Sequence, residues 1–305
     1  MDQYTAQTKE WLNTRFRKTT EGGVFFAHQN IYGFKSPFCE EGVVLRYVIF
    51  LNVIKALQML KFESFLDVGG AEGYMSAVIR KIFNAKVRSC DLSDEACNRA
   101  REIFQVEADP VDGVALPYPD ESFDVVLSSE SLEHIPQYEV VLKELLRVAR
   151  KAVIVTVPHD GPEAIEANIR NKVPHGHLHD FTLESLQPLV PPACEIKAWG
   201  HYSSILRLPY RLIEGRPVEV GSRIGVKRFL VRYLNPFIIG FGKIMNRRAF
   251  KFLFAMDSFF ADRLKTYRQL VFVIAKDPSV WAGPQKSVVD VDSVLDFKVP
   301  LYVLK

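Results

Sequence analysis

The stretch that decides the fold is Phe62-Glu-Ser-Phe-Leu-Asp67-Val-Gly69-Gly70-Ala71-Glu-Gly73. An apolar run reaches an acidic residue, enters a glycine-rich turn and leads into 74–83, where apolar residues recur at helical spacing. This pattern predicts a strand, a tight turn and a helix. Because glycine lets a ligand approach the main chain closely, the turn is predicted to hold a small molecule, although such turns also serve dinucleotides, phosphates and purely structural needs.

Strand and helix patterns then alternate along the chain. The predicted strands are 62–68, 86–91, 123–129, 152–157 and 195–199, with a last one at 268–276, and the predicted helices include 74–83, 94–104 and 138–148. Alternation of this kind predicts a parallel sheet with helices on both faces and ligands at the carboxyl ends of its strands. Asp91, 24 residues after Asp67, ends the second strand at the place where an acid holds a ribose diol.

Further along, the chain reads Leu116-Pro-Tyr-Pro-Asp-Glu-Ser-Phe-Asp-Val-Val126 and then Ser129-Glu-Ser-Leu-Glu-His-Ile135. In this order the motifs resemble the class I S-adenosylmethionine-dependent methyltransferases, most closely the ubiquinone and menaquinone methyltransferase-like branch. The resemblance covers about residues 62–199 and the strand at 268–276. It implies an α/β fold with a Rossmann-like, seven-stranded, mostly parallel sheet, and S-adenosyl-L-methionine as cofactor. One departure is Ala71, where the family's turn usually has a glycine.

The resemblance also implies a set of cofactor-binding residues. Gly69, Gly70 and Gly73 would line the methionine and ribose, and Asp67 would meet the amino group or order the turn. Asp91 would accept from the ribose hydroxyls, although it could instead cap a helix, and Asp112 would meet the adenine amino group unless nearby Asp109 does. The full predicted set is Asp67, Gly69, Gly70, Gly73, Asp91, Leu92, Asp112, Gly113, Ser129 and Glu130.

The candidate catalytic residues are histidines. His134 is the first candidate for a general base because imidazole titrates near neutrality, and a structural or cofactor-orienting role is the alternative. His159 is the second candidate, followed by His201. A further three alternate, namely His175, His177 and His179, and in an extended segment they would face one side and could bind a divalent metal with Asp180. We instead expect them to line the acceptor site or bond the loop, and we expect no metal.

The 305 residues predict one methyltransferase domain with additions. Residues 1–60 would form an N-terminal helical extension or lid, 61–200 with 268–277 the cofactor-binding domain, 201–267 a basic helical cap inserted between the last two strands, and 278–305 a tail with an added strand. The aromatic residues Phe25, Phe26, Tyr32 and Phe34 would either cover adenosine or pack the extension onto the sheet. The apolar run 43–60 contains Arg46, Asn52 and Lys55 and predicts a core or amphipathic helix.

Charge and cysteine content bear on partners and location. The net charge is +3, but residues 201–256 contain eleven Lys or Arg and two Glu, a local charge of +9. This segment could attract an anionic acceptor, contact an anionic membrane surface from the cytoplasmic side, or be a solvated face; with no RNA-binding module, no nucleic-acid partner is expected. The four cysteines lack Cys-x-x-Cys spacing and no secretory signal opens the chain, which predicts a cytoplasmic protein. No oligomeric state is indicated.

The predicted function is methyl transfer from S-adenosylmethionine, at oxygen first, to a small-molecule, sugar or lipid-linked acceptor. The alternatives are N- or C-methylation of a metabolite and a non-catalytic cofactor-binding protein. A nicotinamide-dependent oxidoreductase is disfavoured, because the turn lacks Gly-x-Gly-x-x-Gly. The fold predicts the methyl donor and not the acceptor, since acceptor pockets are built from variable insertions.

Overall fold

The computed structural model describes residues 3–34, 36–40, 42–215, 225–244, 247–282 and 290–304; side chains at 225–232 are not described. Seven strands form one sheet in the order β3-β2-β1-β4-β5-β7-β6. The strands are β1 (Ser64–Val68), β2 (Lys86–Asp91), β3 (Glu107–Pro110), β4 (Phe123–Ser129), β5 (Ala149–Pro158), β6 (Glu195–His201) and β7 (Gln269–Ala275). The neighbours among β1 to β5 pair in parallel, and β7 is antiparallel to both β5 and β6. The predicted fold class, a mostly parallel seven-stranded sheet, is confirmed.

Helices cover both faces of this sheet, as predicted. They are α1 (Gln3–Phe16), α2 (Val43–Gln58), α3 (Tyr74–Phe83), α4 (Asp94–Phe104), α5 (Tyr138–Val148), α6 (Pro162–Arg170), α7 (Arg207–Glu214), α8 (Gly225–Ile244), α9 (Arg247–Leu264) and α10 (Val291–Leu295). A core cluster lies on each face, and all seven residues of β7 are buried. A strand covered on both faces is apolar without alternation, which explains the sequence of β7.

The apolar run 43–60 was predicted to form either a core helix or an amphipathic helix. Helix α2 is a core helix. Most of its residues are buried, and it packs beneath the sheet against β5, β6 and β7. Its first turn is capped from the insertion, since the Glu214 carboxylate accepts hydrogen bonds from the backbone N–H groups of Gly42, at 2.7 Å, and Val43, at 3.2 Å. Unpaired N–H groups at a helix start need such an acceptor. The insertion and the N-terminal extension are therefore bonded to each other.

The segment between β6 and β7 is helical, with α7, α8 and α9. Helix α9 is fixed to the sheet by Asp257, whose carboxylate accepts from the backbone N–H groups of Tyr202 and Ser203 at 2.7 and 2.9 Å. Part of the predicted basic cluster lies outside the described residues: Arg216 and Arg223 entirely, and Lys227, Arg228 and Arg232 in their side chains. Within the described ranges, no helix is long and apolar enough to cross a membrane.

The tail differs from the prediction of an added strand. Its described part contains the short helix α10 and an extended piece that follows residues 23–31. The extended piece makes separate backbone hydrogen bonds, for example from Phe25 N–H to the Tyr302 carbonyl at 2.8 Å, and one isolated bridge between Val24 and Val303. Because its partner is a looped segment, no regular ladder forms in the described part of the tail, and residues 283–289 lie outside the described residues.

Candidate active site

The glycine-rich turn after β1 is the centre of the candidate site. The backbone N–H groups of Gly69 and Gly70 donate to the Cys90 carbonyl at 2.8 and 3.1 Å, which folds the turn over the end of β2. Gly69 has φ +80°, and a Cβ there would lie 2.3 Å from Ser131 Oγ, so the position requires glycine. Ala71 adopts φ +50° and takes the left-handed conformation despite its methyl group. Alanine therefore adopts, at the position of the family's middle glycine, the positive φ that a glycine would adopt more easily.

Three of the predicted cofactor residues, Asp67, Gly70 and Gly73, are buried within the turn or beneath it. A Cβ on Gly70 would lie 2.1 Å from Ser89 Oγ, and a Cβ on Gly73 would lie 2.8 Å from the Ala100 side chain of α4. Asp67 is 1% exposed and accepts a hydrogen bond from Ser76 Oγ at 2.8 Å, and burial raises the pKa of its carboxyl to about 7. Their positions indicate that these residues shape the turn; Gly70 and Gly73 line neither of the cavities described next, and their contact with the cofactor stays a prediction.

Two adjoining cavities, of about 150 and 430 Å³, meet at this turn. The smaller one lies over the carboxyl ends of the strands and includes Asp91, Leu92, Asp112 and Gly113. The larger one lies between the turn, α1 and α2. The residues that line both are Arg15, His28, Gly69, Ala71, Glu130, His134 and His175. Ligands bind at the carboxyl ends of strands in open α/β sheets, so the smaller cavity is at the expected place.

The two predicted aspartates of the smaller cavity are held by backbone donors. Asp91 accepts hydrogen bonds from Ala71 N–H at 3.0 Å and from Ser93 N–H at 2.9 Å, and burial raises the pKa of its carboxyl. Asp112 Oδ1 accepts from Val114 N–H at 3.2 Å. Asp91 thus connects the end of β2 to the glycine-rich turn while also facing the cavity.

Helix α1, and not the aromatic loop, covers the smaller cavity. Tyr4, Thr5, Thr8 and Leu12 line it from above. Phe25 and Tyr32 are buried, and the rings of Phe34, Tyr47 and Phe250 pack together at centroid distances of 5.5 to 6.4 Å. With Phe26, they line neither cavity in the described part of the chain. The aromatic residues belong to the packing of the extension, and the part of the extension that covers the smaller cavity is α1, here called the lid.

The lid is attached through its polar face to α4. Asn13 Oδ1 accepts from Ser93 Oγ at 2.8 Å, and Lys9 forms an ion pair with Asp94 at 2.9 Å. The same Ser93 caps α4 by accepting from Ala96 N–H at 3.1 Å. The lid, the start of α4 and Asp91 therefore share one hydrogen-bonded group.

Charged side chains from α1 and α2 border the larger cavity. Arg15 and Arg46 both contact the Glu40 carboxylate, which also bonds the His28 ring. Burial and the positive charge of Arg46 lower the pKa of His28 to about 3, so His28 is neutral near pH 7. One side of the wall is apolar, with Trp11, Leu45, Ile49, Phe50 and Met75. The larger cavity therefore combines an apolar wall with a cationic rim.

The opposite side of the larger cavity is built from the chain after β4. Ser129 Oγ lies 2.8 Å from Thr156 Oγ1, and the Thr156 hydroxyl donates to Glu130 Oε1 at 3.0 Å. Ser129 lines the larger cavity and Glu130 lines both. Burial raises the pKa of Glu130 to about 7. Sequence reasoning missed Glu133, a buried neighbour of this group on the same cavity, although the Leu-Glu-His pattern contained it.

Of the histidines, His134 lies at the junction of the cavities. Its ring stacks on His175 with centroids 3.7 Å apart and meets His177 edge-on at 4.8 Å. Burial, together with the nearby His175 and His177, lowers the pKa of His134 well below its ordinary value. The imidazole is therefore neutral near pH 7, and a neutral imidazole can accept a proton or bind a metal.

The other predicted bases lie elsewhere. The His159 ring nitrogen Nδ1 is 2.7 Å from the Phe181 carbonyl, and His201 is 1% exposed with neither ring nitrogen bonded in the described chain. Neither residue lines the two cavities. No contact with either cavity supports His159 as a catalytic residue or His201 as a reserve base, and both stay predictions.

The alternation of His175, His177 and His179 does not place them on one side. Residue 175 has φ +50°, and the segment turns instead of extending. His177 bonds Asp160, whereas His179 Nε2 lies 3.0 Å from the Ile135 carbonyl, away from the cavities. The proposed partner Asp180 accepts from Gly161 N–H at 3.0 Å. The predicted four-residue metal arrangement is therefore not formed.

Comparison with known proteins agrees with this geometry. Residues 66–157 match the family model described as a methyltransferase domain. The chain is 37% identical over 100 residues to the 2-methyl-6-phytyl-1,4-hydroquinone methyltransferase of Synechocystis, covering 30% of each chain. It is 32% identical over 119 residues to the fatty-acid O-methyltransferase of Mycolicibacterium smegmatis, covering 37% of this chain and 43% of the relative. N-methyltransferases also occur among the relatives. The matched part spans less than two thirds of the length of these relatives.

The fold has a solved counterpart. The magnesium protoporphyrin IX methyltransferase of Synechocystis, with bound S-adenosylhomocysteine, aligns over 90% of this chain and all of its own length, with 12% identity and a TM-score of 0.51. The chain contains a class I S-adenosylmethionine-dependent methyltransferase domain. The predicted family and its cofactor class are confirmed, and the quinone methyltransferase-like branch is consistent with the relatives found.

Proposed function

We propose that this protein transfers the methyl group of S-adenosylmethionine to an oxygen atom of a small acceptor. The observation that carries the proposal is the meeting of two cavities at Gly69 and Ala71. The smaller one, with Asp91 and Asp112 at strand ends, would hold the adenosine half of the cofactor. The larger one would hold the acceptor beside the methyl-bearing sulfur.

Methyl transfer from a sulfonium needs an acceptor held in line with the carbon–sulfur bond, so positioning supplies much of the catalysis. The acceptor oxygen forms a bond to the methyl carbon, the carbon–sulfur bond breaks, and its electron pair stays on sulfur, giving neutral S-adenosylhomocysteine. A hydroxyl acceptor also loses its proton. His134, at the junction of the cavities, is the residue we assign to activation of the acceptor.

The walls of the larger cavity favour an amphipathic acceptor. One side consists of Trp11, Leu45, Ile49, Phe50 and Met75, which suit an apolar body, and the rim carries Arg15 and Arg46, which suit an anionic or polar end. The similarity to a fatty-acid O-methyltransferase supports oxygen and a lipid-like acceptor. A sugar-linked lipid belongs to the same class, and amine acceptors are the competing candidates.

The test uses the full chain and S-adenosylmethionine labelled in its methyl group. Fatty acids, phenols and lipid-linked sugars are offered beside amines of matched size, and products are identified by mass. We expect label on oxygen. Leu45→Trp, which fills the larger cavity, should abolish transfer while the cofactor still binds, and Val140→Trp, an exposed position on α5, is the matched control. Label on nitrogen would establish the N-methyltransferase alternative, and bound cofactor without transfer to any acceptor would favour the non-catalytic binding protein.

We also propose that the helical insertion contacts an anionic membrane surface. On α8, four apolar side chains recur every three or four residues and are exposed, namely Leu234, Phe237, Phe241 and Ile244. Lys243 and Arg248 are exposed near the end of this row. An apolar helix face with flanking basic residues is typical of helices that lie in the membrane interface. All four cysteines are free thiols, which supports a location on the cytoplasmic side.

Sedimentation with vesicles tests this contact. The wild type should sediment with vesicles that contain anionic lipid and less with purely zwitterionic ones, and the variant Phe237→Ser/Phe241→Ser should stay in the supernatant. Equal sedimentation of both proteins, or none with anionic vesicles, would contradict the proposed membrane contact. The variant's methyl transfer to a water-dispersed acceptor serves as the folding control.

A further inference from the structure

A group of one buried carboxyl and two half-buried imidazoles lies on the wall of the larger cavity. Glu133, His134 and His177 each present a ligand atom, and these atoms lie within 4.8 Å of one another. All three residues line the cavity. The backbone brings them together, because Leu178 N–H donates to the Glu133 carbonyl at 2.7 Å and fixes the loop that carries His177.

Hydrogen bonds orient both imidazoles toward a common point. His134 Nδ1 lies 3.4 Å from the Gly176 carbonyl, and His177 Nδ1 bonds the Asp160 carboxylate. An Nδ1 that donates its hydrogen leaves the lone pair on Nε2. His134 Nε2 lies 3.8 Å from Glu133 Oε1. Metal-binding histidines characteristically donate their other nitrogen to a carboxylate or a backbone carbonyl, as both do here.

The Glu133 carboxyl group lacks the partners that its burial requires. The residue is 1% exposed, and Oε2 has no hydrogen-bond partner among the described residues. Its other charged neighbours include Glu130 and Asp160, which repel it. A buried carboxyl oxygen without a hydrogen-bond partner is costly, and a bound cation would supply the missing partner.

The geometry points to a divalent cation bound by Glu133, His134 and His177 on the acceptor side of the site. Two imidazoles and a carboxylate suit Zn²⁺, Co²⁺, Mn²⁺ or Fe²⁺ better than Mg²⁺ or Ca²⁺. Glu130, three residues before Glu133, faces the same cavity and is a candidate for a fourth ligand. This set differs from the sequence-based one, because the loop turns at His175 and carries His179 and Asp180 away.

This inference rests on the proposed function and specifies how His134 would activate the acceptor. The acceptor hydroxyl would bind the cation through oxygen, which lowers the pKa of that hydroxyl. Its proton would pass to a water molecule of the cavity, and the resulting oxygen would take the methyl group while the electron pair of the carbon–sulfur bond stays on sulfur. An oxygen-rich acceptor that can chelate, such as a diol, a catechol-like phenol or a carboxylate, fits such a site.

The experiment measures metal binding directly and does not depend on turnover. Chelator-treated full-length protein is titrated with Co²⁺ and followed by visible absorption, and with Mn²⁺ or Zn²⁺ by calorimetry. We expect one Co²⁺ per chain, with ligand-field bands of a mixed nitrogen and oxygen site. His177→Asn should weaken binding at least about tenfold, and Asp160→Asn about 10- to 100-fold through the loss of orientation.

The matched control is His179→Asn, which removes a histidine from the same loop outside the cluster and should bind Co²⁺ like the wild type. Circular dichroism and S-adenosylhomocysteine binding show that each variant is folded. Equal Co²⁺ affinities for His177→Asn and His179→Asn, or no stoichiometric binding by the folded wild type, would overturn the site. If S-adenosylhomocysteine binds and metal does not, only the metal inference fails; if the folded wild type binds metal and not the cofactor, the proposed function fails.

Discussion

Replacement of Asp91 is the perturbation whose consequences the structure defines most fully. Its carboxylate accepts two buried backbone hydrogen bonds, from Ala71 at 3.0 Å and Ser93 at 2.9 Å. Each buried donor left without a partner costs about 1–3 kcal/mol, so Asp91→Ala should lower the free energy of unfolding by about 2–6 kcal/mol. The glycine-rich turn loses its hydrogen bond to the Asp91 side chain and keeps only those to the Cys90 carbonyl, so the dissociation constant for S-adenosylhomocysteine should rise at least about tenfold, or 1.4 kcal/mol.

The assay combines denaturant unfolding with calorimetric titration of the folded variant. Asp91→Asn keeps one acceptor oxygen, so its loss of stability should be about half as large. Asp112→Ala is the matched control, because that carboxylate lies in the same cavity and accepts only one, partly buried, backbone hydrogen bond. The reasoning is refuted if Asp91→Ala unfolds like the wild type and binds the cofactor with unchanged affinity.

Three other predictions concern the turn and the lid. Gly70→Ala should lower the free energy of unfolding by about 1–3 kcal/mol, because its Cβ would lie 2.1 Å from Ser89 Oγ; denaturant unfolding that matched the wild type would contradict this close contact. Asp67→Asn should flatten the pH dependence of stability. Burial raises the pKa of Asp67 from 3.8 to about 7, so its stabilising contribution is full below pH 3.8 and is lost as the pH rises through 7, by roughly 4 kcal/mol; parallel pH profiles for the two proteins would be the contrary result. Asn13→Ala leaves Ser93 Oγ without its acceptor on the lid and should speed release of S-adenosylhomocysteine in stopped-flow measurements, with Asn98→Ala, a half-buried position on α4 that makes no hydrogen bond to α1 in the described chain, as control; equal release rates would show that this contact does not hold the lid.

Much of the fold follows from local sequence patterns. The strand at 86–91 and the helices at 74–83, 94–104 and 138–148 have the predicted bounds, because apolar spacing and glycine punctuation agree there. Strand β3 (Glu107–Pro110) was missed, since four residues with two acids and a proline have no strand pattern. The described part of the tail forms no strand, because its partner is the looped segment 23–31 and not another strand.

The candidate site could be predicted in part. Asp91 and Asp112 line the smaller cavity, as predicted, because they lie at or just after the carboxyl ends of parallel strands. The lid residues of α1 could not be assigned, since a polar helix has no pattern that names the surface it covers. The prediction that His175, His177 and His179 face one side was wrong because of the backbone. Alternating residues share a side only in an extended chain, and residue 175 has φ +50°. Glu133 could not be singled out within the Leu-Glu-His pattern, because only the fold shows that it is buried.

The most direct measurement of the central claim is calorimetric titration of the full chain with S-adenosylmethionine and S-adenosylhomocysteine, with NADH as the competing cofactor. We expect one site per chain for each sulfur compound and no heat of binding for NADH. Binding of NADH with neither sulfur compound bound would contradict the assignment of the two cavities and of the methyl donor.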